Sequence, residues 1–252
     1  MHVEQEVAAN VGVGPEPAPE PLVITADMLE PPAPPPRIDF ERGMSYAPRF
    51  TLVLLAVLVA VFGWEVASGA MFSLQAIVDA GALSRDEVLA GQVWRLLSAT
   101  FLHADFGHLF GNCLVLYVLG MASEHAFGLP RTAIIYFASG LSGSLLSCAL
   151  TPGPSVGASG AIFGLAAAVI VFFYRFHNLF FVRDKRVGFV LLAWAIYSVG
   201  SGFLSPGIDN YAHIGGFTGG AVLGALLPRR SRPELQVAFN VLARTGHAPR
   251  NS

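Results

Sequence analysis

Four side chains in this sequence are of the types that acyl transfer needs: the Ser159 hydroxyl, the His213 and His108 imidazoles, and the Asn112 carboxamide. A serine attacks a carbonyl only when a base within hydrogen-bond reach takes its proton, and the oxyanion that forms needs fixed donors. Ser159 lies in the run Gly157-Ala158-Ser159-Gly160-Ala161-Ile162-Phe163-Gly164, just after Thr151-Pro152-Gly153-Pro154. Such a turn sets the start of a helix, whose first backbone N–H groups lack intrahelical acceptors and can receive an oxyanion. His213, in Tyr211-Ala212-His213-Ile214-Gly215-Gly216, is the expected general base. His108 and Asn112 are four residues apart and share a helix face. Both can donate to an oxyanion, and one such donor is worth about 10²–10³ in rate.

Blander readings compete for each residue. A serine among small residues often only packs helices, and a lone histidine can satisfy a buried carbonyl. Histidine is also the commonest metal ligand. The sequence has no HExxH pattern, however, and asparagine ligates zinc poorly, so no metal is expected. Asp209, four residues before His213, invites a triad assignment but is expected to lie in a solvated loop.

The elements that must position these residues are apolar. Of 252 residues, 54% are hydrophobic and 13% charged, and the net charge of −2 provides no field that would favour nucleic acid. Six apolar stretches approach the roughly 17–25 residues that cross a bilayer as a helix. They run over Phe50–Val66, His108–Phe127, Thr132–Leu150, Ser159–Phe176, Val187–Phe203 and Tyr211–Leu227. The expected fold is therefore an all-α polytopic membrane protein, a bundle of six transmembrane helices. Alternating crossings put 13 Lys and Arg residues on one side, with both termini, and Arg85 and Arg95 on the other, which makes the termini cytoplasmic. The even-numbered spans then begin on the outer side. Their first turns hold His108 with Asn112, Ser159, and His213, so three polar sites converge at one depth. His103 joins them as an expected lining residue of an outward-open, hydrated cavity. Polar groups at membrane depth are functional candidates. Gly216, Gly220 and Gly224 repeat every four residues and face Gly160 and Gly164 in the expected packing, a small-residue stripe that would bring His213 to Ser159.

Taken together, Trp94-Arg95, His103, His108, Asn112, Gly157-Ala158-Ser159-Gly160 and Ala212-His213-Ile214-Gly215-Gly216 resemble the rhomboid family of intramembrane serine proteases in order and spacing, over about Phe50 to Leu227. The resemblance implies a bacterial-type six-span core with a two-residue dyad of Ser159 and His213. It also implies an oxyanion hole of Asn112, His108 and the Ser159 backbone N–H. Phe163 takes the place of the ring that stacks on the base, where relatives often have Tyr. Gly157, Gly160 and His103 support the site, and Trp94 and Arg95 stabilise the long first outer loop, Ala67–Gly107, read as partly membrane-embedded. Glu124, Gly216 and Gly220 are read as structural. Leu204–Asn210, with Pro206, resembles a mobile cap.

The implied activity is a serine endopeptidase that cuts in or near transmembrane segments of membrane-protein substrates entering laterally from the bilayer, through an acyl-enzyme and without cofactors. No nucleic acid partner is expected. The expected location is the bacterial inner membrane. Residues 1–46, rich in Pro and Glu, read as a disordered cytoplasmic tail that lacks the pattern of a cleavable signal peptide. Residues 47–228 form the protease domain and 229–252 a basic cytoplasmic tail. Two rivals are a client-binding pseudoprotease and a small transporter. The first usually lacks the serine or histidine; for the second no inverted repeat is visible.

Overall fold

The computed structural model describes residues 37–205, 207–231, 237 and 240. Residues 1–36 of the expected tail, Pro206 of the expected cap and most of the expected C-terminal tail lie outside them. Each of the six apolar stretches is a helix. The helices are α1 (Arg49–Ser68), α5 (Phe106–Phe127), α6 (Leu129–Leu150), α7 (Ser159–Arg175), α8 (Val182–Gly202) and α9 (Asn210–Leu226), while three short ones, α2 (Leu74–Asp79), α3 (Arg85–Leu89) and α4 (Arg95–Ser98), lie between α1 and α5. A 3₁₀ turn over Ala99–Phe101 follows α4. Among the described residues there is no β-strand, only two isolated bridges.

Local chemistry sets the helix ends. Gly69, left-handed at φ 78°, stops α1, and the Asp105 carboxylate starts α5 by accepting from the His108 N–H. Gly128, at φ 83°, breaks α5 from α6, and Pro130 occupies the first turn of α6.

Helices α1, α5 and α6 are long and apolar enough to cross a membrane. Helices α7 and α9 have 17 residues each, about 25 Å at 1.5 Å per residue, which is short of a bilayer core of roughly 30 Å. The surroundings of α7 explain why it needs no lipid-matched length. Every residue of α7 from Gly160 to Val169 is buried, so its neighbours are other helices.

Helix α9 wedges between α6 and α7. A Cβ added at Gly216 would collide with the Gly160 carbonyl oxygen, and one at Gly220 with that of Gly164. On the other face, a Cβ at Gly215 would lie 2.7 Å from the Ser142 carbonyl oxygen, and one at Gly143 lies 2.6 Å from that of Ala212. Only glycine permits backbones this close. On the far side of the bundle α1 joins α5 through Thr51, whose N–H and hydroxyl donate to Glu124 at 2.9 and 2.7 Å. Glu124 thus has a structural partner.

The connection between α1 and α5 is held by one buried cation. Arg95 donates to the carbonyls of Val78 and, at 3.0 Å, Ala82, and to Gln92 at 2.9 Å, while its guanidinium stacks 4.8 Å from the Trp94 ring. Ile38, Phe40 and Met44, expected within a disordered tail, pack against the bundle instead. Ile38 N–H donates to the Leu179 carbonyl at 2.8 Å, and Phe40 is buried among Phe172, Phe173, Phe180 and His125. Its N–H donates to Asp184 and its carbonyl accepts from His125. The aromatic side chain leaves water by packing among these rings.

Candidate active site

Ser159 is the first residue of α7 and His213 lies in the first turn of α9. Because glycines let these helices touch, Ser159 Oγ and His213 Nε2 lie 2.9 Å apart, within range for the hydroxyl to donate to the ring nitrogen. The Phe163 ring stacks on His213 with centroids 4.3 Å apart and planes 11° from parallel. Trp194 of α8 stacks on Phe163 in turn, at 4.9 Å and 29°. The imidazole is therefore oriented by a three-ring stack. Its Nδ1 is buried and has no hydrogen-bond partner among the described residues.

Asp209 does not fill that position, and neither is it solvated as expected. It is half-buried at the N-cap of α9, accepting from the Ala212 N–H at 2.9 Å, from Thr151 at 2.8 Å and from Ser147. Burial alone would raise its carboxyl, but hydrogen bonds from Ser147, Ser155, the Ala212 N–H and Thr151 outweigh it and hold the group below its ordinary value. Sequence could not show this, because the hydroxyls come from residues about sixty positions away.

Asn112 and His108 lie one turn apart on α5. Both line a cavity of about 240 Å³ with Ser159, Gly107, Gly111, Val115, Ile162, Phe163 and Trp194. The Asn112 Nδ2 donor is buried without a hydrogen-bond partner. Gly157, at φ 129°, runs its backbone against these groups: a Cβ there would sit 2.7 Å from the His108 ring and 3.7 Å from Asn112 Nδ2. The Gly157 N–H is held by the Ala99 carbonyl at 2.9 Å. A nucleophile and two side-chain donors thus face one cavity, the base reaches the nucleophile at 2.9 Å, and the first N–H groups of α7 have no intrahelical acceptor. Such a constellation can do acyl-transfer chemistry.

His103, expected to line the cavity, stands behind His108 instead. It is fully buried, with its ring centroid 5.1 Å from that of His108, and its N–H donates to Glu65 of α1. Burial, then the neighbouring His108, pushes its pKa down to about 4, so the ring is neutral. Gly160 lies against the Ala212 carbonyl, at 3.0 Å for an added Cβ, in the contact that carries α9 past α7. Among the described residues, no three His, Cys, Asp or Glu side chains come together to hold a metal ion. The residues that sequence reasoning missed are Trp194, Glu65 and the ligands of Asp209. Trp194 sits in an apolar run, where nothing separates a ring that stacks inward from one that faces lipid.

A family model described as the Rhomboid domain matches residues 90–230. Rhomboid protease GluP of Bacillus subtilis (strain 168) is 34% identical over 180 residues, covering 71% of this chain and 35% of that protein. RHOMBOID-like protein 5 of Arabidopsis thaliana is 40% identical over 160 residues, covering 62% and 50%. A relative from the same plant, named Inactive RHOMBOID-like protein 8, is 37% identical over 129 residues, covering 50% and 36%. The chain spans about a third to a half of the length of these curated relatives.

Proposed function

The chain belongs to the rhomboid family, and from that premise we propose that it is an intramembrane serine endopeptidase with Ser159 as nucleophile and His213 as general base. The 2.9 Å approach of Ser159 Oγ to His213 Nε2, on the wall of a cavity that also receives Asn112 and His108, carries this reading. His213 takes the hydroxyl proton as Oγ attacks the scissile carbonyl. The oxyanion is held by Asn112, His108 and the Ser159 N–H. The imidazolium then protonates the leaving amine, and water, activated by the same ring, hydrolyses the acyl-enzyme. No cofactor takes part.

The bundle is read as six membrane crossings with both termini cytoplasmic, in the inner membrane of a bacterium. The 13-to-2 division of basic residues supports the orientation. Substrates are membrane proteins that enter from the bilayer and present an unwound segment to the cavity, because helical carbonyls are already hydrogen-bonded.

A catalytically silent, client-binding protein is the second reading, favoured by a relative whose name calls it inactive. The two readings differ in one assay. An active-site fluorophosphonate should label the wild-type chain at Ser159 and leave Ser159→Ala unlabelled. Folded wild-type protein that takes no label would refute the protease.

A further inference from the structure

Two parts of the fold meet on a single carboxylate. Thr151 Oγ1 donates to Asp209 Oδ1 at 2.8 Å, the Ala212 N–H donates to the same oxygen at 2.9 Å, and Ser147 Oγ donates to Oδ2. Ser155, on the connection to α7, helps to hold the carboxyl below its ordinary value. Ser147 and Thr151 end α6, Ser155 stands four residues before Ser159, and Ala212 is the neighbour of His213. The His213 N–H itself donates to the Asp209 carbonyl at 3.3 Å. The Ser155 backbone is pinned from its other side by a reciprocal pair of bonds with Leu83, both 2.9 Å.

We infer that Asp209 is a positioning residue for proton transfer between Ser159 and His213: it ties the first turn of α9 to the end of α6, from which the connection leads to Ser159. The inference rests on the protease reading above. The carboxylate acts through the backbone, since its oxygens are taken by these donors while His213 Nδ1 has no hydrogen-bond partner among the described residues. Charged acceptors bind hydroxyl and amide donors about twice as strongly as neutral ones, and a negative charge at a helix N-terminus is further favoured by the helix dipole. The glycines of α9 that touch α7 begin at Gly216, one turn after His213, while before it the Ala212 carbonyl rests against Gly160 of α7 and Gly143 of α6. The Asp209 cap fixes the N–H side of the same turn, which those carbonyl contacts leave unheld. A first turn that frays by about an ångström loses roughly 10² in rate.

The test uses the purified full chain in bilayers, with wild type, Asp209→Asn, Asp209→Ala and Thr151→Val compared. Three quantities are read: the rate constant of fluorophosphonate labelling, the final labelled fraction, and the thermal unfolding midpoint. Asp209→Ala should lower the rate constant about 10²-fold while the final labelled fraction stays complete. Asp209→Asn, whose amide oxygen still accepts from the Ala212 N–H, should lose roughly tenfold, and Thr151→Val less than that. On a cleavable transmembrane substrate, kcat should fall and KM hold. If Asp209 merely anchors the fold, midpoint and labelled fraction drop but the surviving molecules react at the wild-type rate; that result overturns the inference. Should Asp209→Ala fail to fold, the other two variants decide by the same criterion. Ser159→Ala is a separate arm. Labelling that survives it refutes the protease reading, whereas labelling lost in it, with wild-type rates in the Asp209 series, refutes the positioning role alone.

Discussion

Replacing Gly216 by alanine adds one methyl group at the closest approach of α9 to α7. The least crowded of the three contacts in this stripe gives the scale: a Cβ at Gly224 would rest 2.7 Å from the Ala168 Cα, about 1 Å inside the 3.5–4.0 Å at which carbon atoms settle. At Gly216 the obstacle is the Gly160 carbonyl oxygen and the overlap is deeper. The obstacle is backbone, with no rotamer to escape into, so the helices must separate by more than 1 Å one turn from His213. The Ser159–His213 distance of 2.9 Å then leaves hydrogen-bond range. Overpacking of this kind costs about 1–3 kcal/mol, which a bundle this size survives, whereas an ångström of misplacement costs roughly 10² in rate. Gly216→Ala should therefore remain folded but label with fluorophosphonate at least about 10²-fold more slowly. Gly224→Ala, two turns further from the base, should lose much less. Gly63→Ala, whose new methyl meets nothing within 4 Å, should behave as wild type. A Gly216→Ala protein that labels within threefold of the wild-type rate, about 0.65 kcal/mol by the rate–energy relation, would refute the reasoning that glycine contact sets the dyad distance.

Three further outcomes are expected. Gly157→Ala strains a residue at φ 129° and drives its methyl into the His108 ring, so the labelling rate should fall about 10²–10³-fold, as for a lost oxyanion donor, with little change in probe affinity. Phe40→Ala empties an aromatic cage far from the dyad and should lower unfolding stability by about 3–5 kcal/mol in denaturant titrations, while the folded fraction labels normally. Asp209 has its carboxyl held below the ordinary 3.8, so its folded value is depressed and its stabilisation is complete above 3.8, then lost as pH falls through the lower folded value. The gap in thermal midpoint between wild type and Asp209→Asn should accordingly be constant at neutral and mildly acidic pH and close below 3.8; a gap that persisted unchanged through strong acid would contradict this.

The polar residues of the site could be read in the sequence because each is an anomaly in its own stretch. Ser159, His213, His108 and Asn112 are costly at membrane depth, and the four-residue glycine repeat on α9 has a matching pair on α7. Helix positions were legible for the same local reason, since apolar runs bounded by Gly, Pro and Asp name their own ends. Boundaries moved by only a few residues: α8 begins at Val182, where Val187 was expected, because charged residues can extend a helix beyond its apolar run.

What the amino-acid order determined by itself is local: which segments are helices, which carry polar groups, and which faces are small enough to touch. The tertiary structure alone decided who meets whom. It put His103 behind His108, closed Trp194 onto Phe163, took Asp209 out of solvent into the hydroxyls of Ser147 and Thr151, and drew Phe40 into a cage supplied largely by residues more than 130 positions later. Periodicity and propensity report the environment a residue prefers, and many partners satisfy the same preference. Only packing, in which each buried donor and ring must find a particular neighbour, selects one.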